Sequence, residues 1–155
     1  MSSVVTALLF AICASQPLCA QEREVPYWAA MRAGEVNMRV GPSEDYKISW
    51  VFKRKGLPVK VVRVKEGWRL IRDPDGEQGW VVARLLKPER GALVVGEGLA
   101  AMREAPSDSA RLKWNLEPGV VGNLGECADG WCVLEIDGRR KGYVRQDRLW
   151  GSGEP

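Results

Sequence analysis

The chain has 155 residues, a formal net charge of +3 and no histidine. Without histidine it cannot hold a Ser-His-Asp triad or a Cys-His pair, so these forms of nucleophilic hydrolysis are excluded within this chain. Nucleic-acid binding requires a larger basic excess on one face, so we expect no nucleic-acid partner.

The N-terminal residues 1–20 are predicted to be a signal peptide. The uncharged apolar run 4–14 is shorter than the roughly 20 residues that a membrane-spanning helix needs. Ala20 follows it and precedes the charged stretch 21–24, an order typical of secretory cleavage after Ala20. A buried first helix is the alternative. We expect a periplasmic or secreted protein without a stable membrane span after cleavage.

The rest of the chain has the pattern of an all-β protein. Short β-prone runs alternate with Gly- and Pro-containing turns, whereas helical spacing is lacking in any window longer than a turn. A single helical turn is predicted at 83–86, followed by a linker at 87–90. The strands predicted in the first part of the chain are 28–31, 36–39, 50–52, 59–64, 68–72 and 80–82.

The pattern occurs twice. "NMRVGPS" at 37–43 is followed by "AMREAPS" at 101–107, and Met38 and Met102 are 64 residues apart. Glycine and aromatic landmarks further along keep almost the same offset, which indicates two units in tandem. We place a first domain at 21–86, a second domain at 91–150 and a short tail at 151–155.

The first unit resembles a bacterial SH3 domain. It has the opening N-x-R-x-G-P-S at 37–43, then Gly67-Trp68, Asp75-Gly76 and Gly79-Trp80-Val81. The second unit resembles this family more loosely, because Ala101, Ala105 and Tyr143 replace the expected Asn, Gly and Trp. The resemblance implies two tandem small SH3-like five-stranded barrels. It also implies a binding role without chemistry of its own, and peptide or peptidoglycan as the ligand class.

The two cysteines left after removal of residues 1–20 are Cys127 and Cys132. Residues five apart across a tight hairpin come within disulfide reach if the register places them opposite each other. Export would supply oxidising conditions, so we predict a disulfide. Two free thiols, or half of a metal site, are the alternatives, but a metal site would need further ligands. We expect no metal and no cofactor. The first unit has Glu66 and Arg69 near these places, so the module does not depend on the bridge.

Acidic residues are the remaining catalytic candidates, since glycosidases use two carboxylates that flank a cleft. Here they lie beside Gly or Pro and are predicted to be turn formers: Asp73, Asp75, Glu77, Asp129 and Asp137. We therefore predict that the protein is not an enzyme. Hydrolysis by two carboxylates facing each other across a cleft is a remote alternative.

Seven tryptophans are the main binding candidates. Trp80, and Trp50 or Trp114 at their equivalent positions, are expected to be buried, because a large ring stabilises a small core. Alternation places Cys132, Leu134 and Ile136 on the core face of their strand. Trp131 and its counterpart Trp68 should then be partly exposed or covered by the neighbouring unit.

The candidate ligand-binding residues are Arg39, Tyr46, Trp50 and Trp68. For Arg39 and its counterpart Arg103 the alternative is a structural role, in which the guanidinium holds turn carbonyls. The leading hypothesis is an exported binding module for peptide or peptidoglycan, which a groove lined by Tyr46 and Trp50 would favour. The alternative is a structural or regulatory partner of another envelope protein, which an exposed apolar patch with Trp131 or Trp150 would favour.

Overall fold

The computed structural model describes residues 23–155, and the predicted signal peptide and its cleavage site lie outside them. The described chain forms two antiparallel seven-stranded sheets. The strands of the first are β1 (Tyr27–Met31), β2 (Val36–Arg39), β3 (Ile48–Phe52), β4 (Pro58–Lys65), β5 (Trp68–Arg72), β6 (Gln78–Val82) and β7 (Leu86–Lys87). Those of the second are β8 (Gly91–Val94), β9 (Ala100–Arg103), β10 (Leu112–Leu116), β11 (Val121–Ala128), β12 (Trp131–Ile136), β13 (Arg140–Arg145) and β14 (Leu149–Trp150).

The two sheets share one topology. The first has the order β3-β2-β6-β5-β4-β1-β7, and the second has the order β10-β9-β13-β12-β11-β8-β14. A 3₁₀ turn at Ala83–Leu85 precedes β7, and another at Gln146–Arg148 precedes β14. The predicted tandem all-β fold is confirmed. Each sheet has seven strands where the resemblance implied five. In the first domain six of the seven lie where the sequence predicts strands, and the two-residue β7 is the addition.

The repeated glycines mark turns that both units need. Gly56 and its counterpart Gly119 have φ values of 80° and 91°. A side chain is disfavoured in this left-handed region, so glycine stands at the same turn in both copies. Such turns end the strands within one or two residues of where the sequence predicts.

Each sheet encloses its own core. Val59, Ile71 and Val81 are fully buried in the first domain, as are Met102 and Leu134 in the second. The alternation predicted for β12 is confirmed, since Cys132, Leu134 and Ile136 are all buried. Strand alternation therefore identifies the core face wherever one side of a strand is apolar.

The tryptophans depart from the predictions. Trp50 is 59% exposed rather than buried, because the edge strand β3 carries it into a groove described below. Trp80 and Trp114 are only half-buried. Trp131 was expected to be partly exposed or covered by the other unit, yet it is 6% exposed, and Arg145 of its own domain lies over the ring at 4.7 Å. Trp131 is thus covered by a residue of its own domain and not by the other unit.

Cys127 and Cys132 lie directly opposite each other in the β11–β12 hairpin. Their sulfurs are bonded at 2.06 Å, as predicted. In the first domain the corresponding ladder pair is Val64 and Arg69, so Val64 rather than Glu66 stands in the place of Cys127. The bridge is therefore an addition to the second domain only.

The two domains contact each other through two tryptophans. The rings of Trp28 and Trp150 meet edge to face at 5.1 Å, and Lys60 Nζ lies 5.2 Å from the first ring centroid and 5.8 Å from the second. Trp28 Nε1 also donates a hydrogen bond of 2.7 Å to the carbonyl oxygen of Gly153. At Gly91 a Cβ would stand 2.2 Å from the carbonyl oxygen of Gly56, so only glycine allows this approach.

Among residues 23–155, no helix is long and apolar enough to cross a membrane.

Candidate functional site: a groove between the two domains

A groove of about 870 Å³ lies on the first domain where it meets the second. Its volume is in the range of small-ligand and peptide sites. One wall is β3 with the residues that follow it, and another is the turn between β5 and β6. The second domain contributes Leu93 and Gly119. The groove is therefore built by both domains.

Strand β3 is an edge of the first sheet. It pairs with β2 alone, so its other side has no ladder partner among the described strands. Six consecutive residues, 49–54, line the groove. Alternate residues of an antiparallel strand direct their N–H and C=O groups to the same side. The N–H and C=O groups on the outer side of β3 therefore have no ladder partner in either described sheet.

The apolar surface of the groove centres on Trp50. Its side chain is 59% exposed, while Phe52 and Leu57, which also line the groove, are 6% and 9% exposed. Met38, the ladder partner of Trp50, also lines the groove. An exposed tryptophan in a groove that also has buried apolar side chains offers a large rigid contact area with a polar N–H group.

The turn between β5 and β6 makes the groove acidic on one side. Asp73 is buried, and its Oδ1 accepts hydrogen bonds from the backbone N–H groups of Asp75 (3.0 Å) and Glu77 (2.9 Å). Asp73 is thus the turn former that the sequence predicts. Asp75 and Glu77 line the groove with exposed side chains, which gives that wall negative charge.

Two basic residues lie at the end of β3. The guanidinium of Arg54 donates to the carbonyl oxygen of Gly119 and so connects the first domain to the second. Lys53 beside it is exposed and lines the groove. The groove therefore contains positive charge at the end of β3 as well as negative charge on the β5–β6 turn.

Of the four predicted ligand-binding residues, Trp50 lies in the groove and the other three do not line it. Arg39 Nη1 donates to the carbonyl oxygen of Tyr46 at 2.7 Å, and Arg103 Nη1 makes the equivalent bond to Ala110 at 2.8 Å. This matches the structural role that was the alternative for both arginines. The ring of Tyr46, 48% exposed, packs against Gly41, where a Cβ would stand 2.6 Å from it.

Trp68 is half-buried on β5, opposite Lys65 and Val82 in the ladders, and is not among the residues that line the groove. The sequence did not identify Leu57, Leu93 or the acidic wall as parts of a site. The acids were correctly interpreted as turn residues, and nothing local indicates that this turn folds beside β3. Only the closure of the sheet brings them together.

The equivalent strand of the second domain, β10, has different surroundings. Trp114 has the ladder position of Trp50, opposite Met102. It packs against the second core, and Lys113 Nζ lies 4.9 Å from its ring centroid. The same ammonium donates to the carbonyl oxygen of Lys141 at 2.6 Å. Lysine thus covers the second-domain tryptophan, whereas Trp50 is open.

The fold and the groove define a class: two SH3-like binding domains in tandem, with an exposed tryptophan where they meet. The model of the bacterial SH3 domain family matches residues 32–88 and 96–151, so the chain belongs to this family. Bacterial SH3 domains are binding modules that generally recognise peptidoglycan or proteins. Among curated proteins, none matches the sequence significantly.

Three solved structures are similar to the chain: NlpC2 and NlpC1 from Trichomonas vaginalis and an NlpC/P60 family protein from Bacillus cereus. Their sequence identities are 13%, 14% and 13%, with TM-scores of 0.36, 0.35 and 0.36. The matches cover 83%, 91% and 80% of this chain, and 49%, 50% and 56% of the respective neighbours. This chain spans about half the length of each.

Proposed function

We propose that the protein is an exported, non-enzymatic binding module that recognises peptide, free or as part of peptidoglycan, in the cell envelope. The observation that carries the proposal is the 59% exposure of Trp50 within a groove that both domains build. Membership of the bacterial SH3 domain family supports the ligand class.

Export rests on the predicted signal peptide at 1–20. The Cys127–Cys132 bridge supports it, because disulfides form and persist in oxidising compartments. The periplasm or the extracellular space is therefore the proposed location.

A role without catalysis is supported by the placement of the groove acids. Asp73, Asp75 and Glu77 all belong to one turn, and Asp73 is engaged by the backbone of that turn. Hydrolysis by paired carboxylates needs the two groups on opposite sides of the scissile bond. The groove places its described acids on one wall.

A docking role on another envelope protein was the alternative, and an exposed patch with Trp131 or Trp150 was its expected sign. Trp131 is 6% exposed, and Trp150 packs against Trp28. The contacts of these two rings are thus made within the chain, and a protein partner becomes an outcome of the test below.

The proposal is tested by retention of residues 21–155 on purified peptidoglycan sacculi over a salt series. A parallel arm uses the same sacculi after an amidase has removed the stem peptides and left the glycan strands. Trp50→Ala is the test variant. Lys87→Ala is its control, because this side chain lies outside the groove lining.

We expect salt-resistant retention on intact sacculi that is lost on bare glycan and lost in Trp50→Ala. Equal retention on bare glycan would contradict peptide recognition. Retention that disappears at modest salt would show nonspecific attraction to the basic chain instead of an aromatic site. No retention on either material would overturn wall binding and leave a protein partner.

A further inference from the structure

We infer that the groove binds an extended peptide as an added strand along the outer edge of β3, with a basic side chain of that peptide facing Asp75 and Glu77. The inference rests on the proposed function, because it uses the same groove. It adds the binding mode and the charge of the ligand.

The first argument is the character of the edge. Exposed edge strands are templates for a further strand, and proteins normally protect them with lysine, proline or bulges. The sequence of β3, ISWVF, contains neither a charge nor a proline. One register shift lies at Ser49, and the segment 50–52 beyond it is regularly paired with β2. Ile48 and Trp50 are 39% and 59% exposed on this strand.

In the second domain, a lysine side chain covers the tryptophan of the equivalent edge strand. The edge strand β10 has Lys113 at the place of Ser49, and its ammonium lies over Trp114 and bonds to the carbonyl oxygen of Lys141. The two edge strands have the same topology and register, but only β10 has this lysine. β10 is also the last strand of its sheet, so the feature specific to the first domain is an edge strand whose tryptophan is uncovered.

The third argument is dimension. A five-residue strand such as β3 is roughly 17 Å long, so an added segment of five or six residues would use its whole length. The groove follows β3 and the next two residues without interruption and has a volume of about 870 Å³. Main-chain hydrogen bonds would provide affinity, and every second side chain would enter the groove.

The fourth argument is charge. Asp75 and Glu77 present exposed carboxylates on the wall formed by the β5–β6 turn, while Asp73 is occupied in holding that turn. Trp50 adds an aromatic face, which attracts a cation within about 6 Å of its centroid. Lys53 lies at the end of β3 and disfavours a second cation there. The ligand segment should therefore have its basic group at the acidic turn.

The test uses an acetylated and amidated hexapeptide of alternating valine and lysine, titrated into isotope-labelled residues 21–155. Two analogues are methylated on backbone nitrogens, one at its valines and the other at its lysines. In a strand these two sets of N–H groups point to opposite sides, so methylation blocks one edge at a time. A fourth peptide has glutamate in place of lysine.

We expect the amide signals of 48–54 and the indole N–H of Trp50 to shift with the parent peptide. Methylation of one set should weaken binding by roughly tenfold or more, and methylation of the other by less than about threefold. The glutamate peptide should bind weakly. Asp75→Asn combined with Glu77→Gln should abolish the preference for lysine, whereas Asp137→Asn, an exposed turn acid of the second domain, should not.

Equal effects of the two methylated analogues, or no shift along β3, would overturn the inference. If Trp50-dependent retention on sacculi persisted in that case, the proposed function would stand and only the binding mode would be wrong. If the shifts along β3 and the Trp50-dependent retention on sacculi were both absent, the groove would not be a peptide-binding site.

Discussion

The same ladder position has opposite surroundings in the two domains. Trp50 is open to a groove, whereas Trp114 packs on its core under the ammonium of Lys113. The sheets have the same strand order, so the fold does not cause the difference. One neighbour that differs is Ser49, which precedes the first tryptophan where Lys113 precedes the second. The uncovered tryptophan thus lies in the domain whose edge strand lacks this lysine.

The turn beside each edge strand also differs between the two domains, in its charge. The first domain has the acidic turn 73–77, with Asp75 and Glu77 in the groove. In the second domain the turn between β12 and β13 is tight and is followed by Arg140 and Lys141. The duplicated module thus has an acidic turn in one copy and basic residues after the equivalent turn in the other.

The largest effect is expected at the contact between the domains. Trp28→Ala removes a buried ring, its contact with Trp150 and its hydrogen bond to Gly153. Loss of a buried tryptophan lowers the free energy of unfolding by about 3–5 kcal/mol, as urea denaturation would measure. Trp28→Phe, which keeps a ring and loses the hydrogen bond, should cost about 1 kcal/mol. A cost for Trp28→Ala similar to that of Trp28→Phe would contradict this account of the contact.

The next effect separates the two equivalent tryptophans. Trp114→Ala should lower the free energy of unfolding by about 2 kcal/mol, because a half-buried ring is lost from the core surface. Trp50→Ala should cost less than about 1 kcal/mol, since most of its ring is in solvent, and should instead abolish binding. Equal destabilisation in matched urea titrations would show that the rings are not used differently.

The disulfide is expected to matter less. Cys127→Ala combined with Cys132→Ala opens a loop of a few residues, for which the loss of stability is about 2 kcal/mol or less. Reduction of the unaltered protein should give the same change in its urea midpoint. The first domain has Val64 and Arg69 at these ladder positions, so amide exchange there should be unchanged. Faster exchange in the first domain's core would contradict this independence.

The smallest effect concerns an exposed ion pair. Arg111 Nε donates to Glu104 at 3.0 Å, and this hydrogen bond and the charge of Arg111 hold the pKa of Glu104 below its ordinary value. A lowered pKa in the folded state stabilises the fold above the ordinary pKa of Glu104, and this contribution is lost as the pH falls through the lowered value. The unfolding midpoints of the protein and Glu104→Gln should differ slightly at pH 7 and converge as the pH falls below the lowered pKa of Glu104. A difference that grew on acidification would contradict the assigned sign.

The sequence is sufficient for the fold and insufficient for most of the site. Turn glycines such as Gly56 and alternation such as Cys132-Leu134-Ile136 are local signals, so strand bounds and core faces follow from them. The exposure of Trp50 has no local signal, because an apolar strand suits both a core and an open edge. The Trp28–Trp150 contact depends on how the two domains dock, which periodicity within either domain does not report.

The most direct test of the central claim is hydrogen–deuterium exchange of residues 21–155 with and without peptidoglycan fragments solubilised by a muramidase. We expect exchange to slow at 48–54 and at the turn 73–77, with the hairpin 127–132 of the second domain unaffected. Slower exchange confined to the second domain, or none in the presence of fragments that the protein binds, would contradict a binding site at the open edge of β3.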